Sequence, residues 1–382
     1  MAGTGAAAPA NATGVITIDL GALAANWRSL ADLVAPAECT AVVKADAYGL
    51  GAHRVIPALA NAGCRTFFIA TCDEAAEARR LAPAARIFAL DGLLAQSGEA
   101  LLASGAMPVL SSLTEAHEWA AFAKSKSAKL AAALHIDSGL NRLGLSAREV
   151  QELGRDAKTL GQIEVALIMS HLASADDPVD PKNEQQRVVF ESLRGILPKA
   201  PASLAASDGL MLGPRFHFDL VRPGYALYGG QAFKGGPTPV APVVRVAARI
   251  LQIRDVAPGQ TIGYSGAYKA TRLSRIAIVA AGYADGYFRH FSAPNGTTGG
   301  AAGGIVSFHG KSAPIVGRVS MDLITVDVTD LSDPVPQRGD LVELIGPSQS
   351  IEAAGARAGT IGYEVLTSLG RRFHRVYVDA GA

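Results

Sequence analysis

Eight apolar, strand-like runs recur between Cys39 and Arg222, and helical patterns separate most of them. They cover Cys39–Val43, Thr66–Ala70, Arg86–Leu90, Met107–Leu110, Leu130–Ile136, Ile163–Ser170, Ala202–Ala206 and Phe218–Val221. Alternation of strand and helix implies parallel strands, and eight such units imply a (β/α)8 barrel. The intervening stretches carry helix signals of their own. Leu23, Trp27, Leu30 and Val34 fall on one face of Leu20–Val34. Asp73 stands where an N-cap would start a helix running to Leu81, and Ser112 and Glu115 have capping-box spacing. Chemistry on such barrels collects at the C-terminal ends of the strands. The polar residues ending the runs are therefore candidates: Lys44, Thr71, Asp91, Ser111, Asp137, His171, Ser207 and Arg222.

After Gln231 the pattern changes. Gly235–Pro242 is rich in Gly and Pro and reads as a linker. Beyond it helical periodicity nearly vanishes. Strands are expected at Val244–Leu251, Arg275–Ala280, Ile305–Phe308, Pro314–Val319, Leu323–Val328, Leu341–Ile345 and Arg375–Val378, with a short helix at Ile351–Ala358. Thr297–Gly304 reads as a mobile loop. The expected organisation is a loose tail over 1–14, a barrel over 15–238 and a β-rich domain over 239–382. The opening strand, Val15–Ile18, can join either domain.

Composition narrows the function classes. A chain of 382 residues has room for two cores, and 49% hydrophobic against 18% charged residues fits a folded enzyme. A net charge of +1 offers no electropositive face for nucleic acid. Cys39, Cys64 and Cys72 are odd in number and irregularly spaced, which matches neither a disulfide framework nor a zinc site and points to a reducing compartment. The first basic residue is Arg28, so the start lacks the charged region of a secretory signal. No stretch is long and apolar enough to span a bilayer. A cytoplasmic protein without metal, membrane or nucleic-acid partner is expected.

The most informative stretch is VVKADAYGLG, Val42–Gly51. A strand comes in, Lys44 sits where it stops, and Gly49 and Gly51 open the chain into a helix. One reading is a solvated lysine at a strand end. The other is an amine partly desolvated at a barrel mouth, which favours the neutral nucleophile that a Schiff-base lysine needs. The seventh and eighth strands end at Ser207 and at RPGYALYG, Arg222–Gly229, where barrels commonly bind phosphate. Ser207 can donate a hydroxyl, and Gly224 allows close approach of backbone N–H groups. Alone these are turn residues; with Lys44 they suggest a phosphorylated aldehyde cofactor, of which pyridoxal phosphate is the common one. His171 in MSHLASAD can be a packed strand-end residue, stack on a ring or bond Arg222. His135 and Asp137 precede Arg142 in DSGLNRLG. In the second domain Tyr283 lies in GYADG, Met321 in RVSMD and Tyr363 in GYEVLTSLGRR.

VVKADAYGLG closely resembles the pyridoxal phosphate lysine motif of the alanine racemase family, and the other motifs follow in that family's order from Ile16 to Tyr377. The resemblance implies a barrel and a β-domain in a head-to-tail homodimer, with each active site shared between chains. It implies interconversion of L- and D-alanine for peptidoglycan. Lys44 would carry the cofactor and act as one acid/base; Tyr283 from the partner chain would be the other. Tyr48, Ser207, Gly224, Tyr225 and Tyr363 would bind the phosphate. Arg222 would meet the pyridine nitrogen, supported by His171. Arg142 would meet the cofactor's phenolic oxygen and the substrate side, and Met321 of the partner subunit would offer its backbone N–H to the substrate carboxylate. Four positions depart from the family's pattern. His135 stands where many relatives have a carbamylated lysine that holds the arginine matching Arg142. Ala206, Asp46 and Leu50 replace common Asn, Asn and His. The competing expectations are a broad-specificity amino-acid racemase, an amino-acid decarboxylase on the same scaffold, and a non-catalytic pyridoxal phosphate-binding protein.

Overall fold

The computed structural model describes residues 8–293 and 303–379. Residues 297–302 of the loop expected at Thr297–Gly304, and the first seven of the expected tail, lie outside them. The chain divides into two compact units. One holds Leu23–Leu227 and Gln231–Val240; the other holds the residues up to Ala22, Tyr228–Gly230 and those from Ala241 onward.

The first unit is the expected barrel. Strands Ala41–Val42, Thr66–Ile69, Arg86–Ala89, Met107–Leu110, Leu130–His135, Ile163–Met169 and Ala202–Ser203 form one parallel sheet in sequence order. The short strand Leu220–Val221 completes the ring. It pairs in parallel with Glu38–Cys39, and Arg222 bridges to Ala206. The amides of Thr40 and Val42 donate to the carbonyls of Val221 and Pro223 at 3.1 and 2.8 Å. Phe67, Phe68, Ile87, Phe88, Val109 and Leu134 are buried, and Phe68 stacks on Phe88 with ring centroids 4.9 Å apart. Strands covered on both faces need such near-continuous apolar runs.

Two caps differ from expectation. The helix Cys72–Leu81 is capped by Thr71, whose hydroxyl accepts from the amide of Glu74 at 3.4 Å, so Asp73 lies inside the first turn. Ser112 accepts from the amide of Glu115 as expected, but the Glu115 carboxylate turns away to the amides of Ser111 and Leu93. A complete capping box forms instead at Ser146 and Glu149.

In the second unit the sheet order is Lys311–Pro314, Ile305–Phe308, Leu341–Ile345, Val244–Val256, Gly14–Asp19 and His374–Val378. The opening strand Gly14–Asp19 is therefore paired in this unit, antiparallel to Val244–Val256 and parallel to His374–Val378. The 13-residue strand Val244–Val256 also pairs with Ser274–Val279, which in turn pairs with Ile324–Asp327. A bulge between Ile250 and Gln252 marks that second pairing. Val244, Val246, Ala248 and Ile250 are buried at every second position, as a sheet with one covered face requires. The strand expected at Pro314–Val319 stops at Pro314. Gly317 sits at φ 74, and Ile315 and Gly317 make single bridges to Val326 and Ala293. Among the described residues no helix is long and apolar enough to cross a membrane.

Candidate active site

Lys44 follows directly on the strand Ala41–Val42 and its continuation Val43. The next four residues, Ala45, Asp46, Ala47 and Tyr48, all lie in the left-handed region, with φ of 55, 53, 54 and 57. Left-handed backbone costs a side-chain-bearing residue roughly 1–2 kcal/mol, so the turn persists only if its surroundings over-determine it. They do. The amides of Ala47, Gly49 and Gly51 reach the carbonyls of Val43, Ala45 and Asp46 at 2.8–2.9 Å. Asp46 Oδ1 accepts from the amide of Ala52 at 2.6 Å, and Glu74 Oε1 from that of Ala45 at 2.7 Å. The turn leaves Lys44 exposed in the single chain and buries Tyr48. The desolvation expected of a strand-end lysine is thus not supplied by these residues. Burial pushes the Tyr48 phenol up to about 12, so it is a neutral hydroxyl at physiological pH.

Tyr48 meets Gly224. A Cβ on Gly224 would collide with the Tyr48 hydroxyl and lie 3.2 Å from Val42 Cβ. The amides of Gly224 and Ala226 both point at Ser207 Oγ, at 3.0 and 3.2 Å. Tyr225 is buried and opens the single 3-10 turn Tyr225–Tyr228. Ser207, Gly224, Tyr225 and Tyr48 therefore share one corner of the barrel's C-terminal end.

Arg222 is 3% exposed, and the partners found for its guanidinium are uncharged. Nη1 donates to Ser203 Oγ. Nη2 donates to the carbonyls of Ser170 and Leu204 at 2.6 and 3.4 Å, and stands 3.4 Å from His171 Nδ1. Burial lowers its pKa to about 9, which still leaves it cationic at neutral pH. An arginine only donates, so His171 Nδ1 must accept. Desolvation first, then the charges of Arg222 and Arg142, pull His171 down to about 3. His135 is buried with Nδ1 3.2 Å from Ser111 Oγ, and burial together with Arg222 lowers it to about 4. The barrel mouth thus carries two neutral imidazoles beside a fixed cation. Arg142 is exposed on a loop that Asp137 Oδ1 organises by accepting the amides of Gly139, Leu140 and Asn141 at 2.9–3.1 Å.

These depressed histidines have a stability consequence. Between pH 6.5 and about 4 the unfolded chain binds protons at His135 that the folded chain does not, so stability falls as pH falls through that window. Replacing His135 by Gln should flatten the fall by up to about 1.4 kcal/mol per pH unit. Urea denaturation at half-unit pH steps measures it; an unchanged slope would mean that His135 titrates normally.

The second unit holds the other candidates. Tyr283 is 43% exposed at the start of the 3-10 turn Tyr283–Asp285. Its amide donates to Ser320 O at 3.1 Å, and that of Ala284 donates to Met321 O at 3.0 Å, so GYADG and RVSMD are sewn together through backbone. Asp285, 4% exposed, accepts from the amide of Gly282 at 2.9 Å and takes Arg372 bidentately at 2.8 Å on both oxygens. Arg372 Nη1 reaches Asp322 Oδ1 at 2.7 Å. One guanidinium thereby clamps both turns, and the two carboxylates hold it above its ordinary pKa. Gly286 lies at φ 83, where a Cβ would strike the carbonyl of Ser368, the last residue of the helix Gly362–Ser368 that carries Tyr363. Met321 is exposed and Tyr363 half-buried.

Sequence reasoning missed three of these supports: Glu74, Asp285 and Arg372. Asp285 had a legible signal, an acid enclosed by the glycines of GYADG. Arg372 had none, because its partners lie 87 and 50 residues away.

Comparison with known proteins places the chain in a family. Residues 18–232 match the family model "Alanine racemase, N-terminal domain", and residues 243–377 match "Alanine racemase, C-terminal domain". The chain is 48% identical over 364 residues to the alanine racemase of Methylobacterium sp. (strain 4-46), covering 95% of this chain and 97% of that protein. It is 44% identical over 370 residues to a protein of Mesorhizobium japonicum described as a catabolic alanine racemase, covering 97% and 94%. A crystal structure of alanine racemase from Bartonella henselae with covalently bound pyridoxal phosphate superposes with a TM-score of 0.90 at 42% identity, over 96% of this chain and all of that one. The paired family models, the near-complete relatives and the barrel with its β-rich companion agree: this chain belongs to the alanine racemase family.

Proposed function

We propose that the protein interconverts L-alanine and D-alanine with pyridoxal 5'-phosphate held on Lys44. The observation that carries this reading is Arg222, buried beside His171 and bonded to uncharged acceptors. Next to a pyridine nitrogen an obligate hydrogen-bond donor disfavours protonation of that nitrogen, whereas a carboxylate would stabilise its protonated form. That favours racemisation over the side reactions of a stronger electron sink, and it disfavours a decarboxylase with an acidic partner. The residues fit such a cofactor. The corner where a Cβ on Gly224 would strike Tyr48 is a close backbone approach, lined by the Ser207 hydroxyl, the Gly224 amide and the Tyr48 phenol. Tyr225 and, as the family resemblance implies, Tyr363 would also hold the phosphate, and Arg142 would meet the phenolic oxygen.

When bound, the cofactor would withdraw electrons from the substrate and acidify its Cα hydrogen. The residues of the chain do the rest. The Lys44 amine takes or returns the proton on one face of Cα. The phenol of the partner subunit's Tyr283 does so on the other, since one base cannot serve both faces. The amide of the partner subunit's Met321 orients the carboxylate. Tyr283 and Tyr363 crowd the side-chain pocket and select the small methyl. The exposure of Tyr283 on a turn fixed by Arg372 supports its delivery to a second chain in a head-to-tail homodimer.

Purified protein should interconvert the enantiomers of alanine far faster than those of serine, lysine or arginine, without CO2 release. Equal rates across that panel would establish a broad racemase, and CO2 release a decarboxylase. Gly224→Ala should weaken pyridoxal phosphate binding about 10–100-fold, because the added methyl must displace the Tyr48 hydroxyl. Spectrophotometric titration of cofactor-free protein measures it. In the cytoplasm the product would supply peptidoglycan. The Mesorhizobium relative, described as catabolic, favours a second role in consuming alanine. D-alanine auxotrophy of a deletion strain would decide for supply.

A further inference from the structure

Three glutamates repeat one device around the barrel mouth. Glu74, Glu115 and Glu149 are each the third residue of the helix that follows a barrel strand. Each carboxylate uses both oxygens on backbone amides, one in the connection before its own helix and one in the segment that follows the preceding strand. Glu74 accepts from Ala70 and from Ala45, both at 2.7 Å. Glu115 accepts from Ser111 at 2.6 Å and Leu93 at 3.1 Å. Glu149 accepts from Ser146 at 2.8 Å and Leu113 at 3.4 Å. Loops at strand ends hold amides that neither strand nor helix satisfies, and a two-oxygen acceptor ties neighbouring loops together.

Of the three, Glu74 is placed differently. The amide it holds belongs to Ala45, the residue directly after Lys44 and the first of the four left-handed residues. The other amide ends the adjacent strand, Thr66–Ile69, which pairs with the lysine's own strand Ala41–Val42. The internal bonds of the turn shape it but do not fix its tilt on the barrel rim. The Glu74 carboxylate is a bond from outside the turn to the backbone at its start. We infer that Glu74 is a positioning residue for Lys44, setting the direction in which the strand-end amine leaves the barrel by locking the Ala45 peptide to the neighbouring strand. This rests on the reading of Lys44 as cofactor carrier. Glutamine cannot substitute, because its NH2 would face an N–H and leave one amide without an acceptor.

The test compares full-length Glu74→Gln with Glu149→Gln, which breaks the same device between Leu113 and Ser146, neither of which belongs to the turn after Lys44. Hydrogen exchange of residues 43–50 is followed in cofactor-free protein, alongside pyridoxal phosphate affinity, the kcat and KM for alanine, and thermal stability. Glu74→Gln should speed exchange at Ala45 about tenfold, weaken cofactor binding about tenfold and lower kcat, with KM for alanine little changed. Glu149→Gln should lower thermal stability comparably and leave exchange of 43–50 and cofactor affinity at native values. Equal effects of the two variants on exchange and affinity would overturn the inference, as would native values for Glu74→Gln. Should Glu74→Gln not fold, the native chain still decides: among the described residues Glu74 Oε1 is the acceptor of the Ala45 amide, and rapid exchange there overturns the assignment. Borohydride reduction and peptide mapping of the loaded native protein separates the two failures. Cofactor trapped elsewhere than residue 44 refutes the carrier reading, while the exchange data still report on Glu74.

Discussion

Replacing Lys44 by alanine is expected to remove the visible absorbance of the bound cofactor and to lower alanine turnover by about 10⁴-fold or more. The size follows from two losses at one atom. The amine is the group that would join the cofactor to the chain, and it would also be the proton carrier on one face of the substrate. The turn after it contains four consecutive left-handed residues, so its backbone has little freedom to present another side chain in its place. Borohydride-treated native protein should yield a pyridoxyl-bearing peptide containing residue 44, and the variant should yield none. Retained absorbance with full turnover in Lys44→Ala would refute the assignment. Folding of the variant is not at issue, since the lysine is exposed and its removal opens no cavity.

Tyr283→Phe should carry the second largest effect, a loss of roughly 10²–10⁴ in turnover from one acid/base group. Because the two alanines are equal in free energy, kcat/KM must fall equally in both directions. The asymmetry appears in exchange at Cα. In D2O the enantiomer whose hydrogen faces Lys44 should still exchange with solvent, while exchange of the other should slow by the full factor. Small, equal effects on both would argue against two bases. The loss of only the hydroxyl leaves the turn intact, because Tyr283 is held there through its amide and through Asp285 and Arg372.

The two predictions differ in how legible their residues were. Lys44 stands in a motif of contiguous residues, so strand, lysine, tyrosine and glycines can be read together. The left-handed path from Ala45 to Tyr48 could not be read, because only Asp46 of the four is of a type that adopts it at all often, and then as a single residue. It exists because carbonyls, Asp46 and Glu74 bond it from several directions. The helix cap at Thr71 rather than Asp73 has a similar origin: both residues can cap, and the helix starts where the strand delivers the chain.

For His135 the sequence posed a question, how Arg142 is held without the family's usual lysine, and the structure answers part of it. His135 spends Nδ1 on Ser111, and Asp137 shapes the Arg142 loop through three amides. The His135 contact does not follow from spacing, since Ser111 lies on a different strand end, whereas the Asp137 turn is local, two to four residues long.

The order of chain elements was decided by sequence alone. Hydrophobic periodicity is local, so eight strand–helix units and a strand-rich remainder are written in neighbouring residues, and the motifs that mark the family are short contiguous words. Tertiary structure decided what depends on distant parts of the chain meeting: the closure of the barrel through Leu220–Val221 and Glu38–Cys39, the pairing of Gly14–Asp19 with Val244–Val256 and His374–Val378, and the clamps of Glu74 and Arg372. A hydrogen bond or ion pair between residues far apart leaves no periodic trace in either segment. Its geometry exists only once the intervening chain has folded.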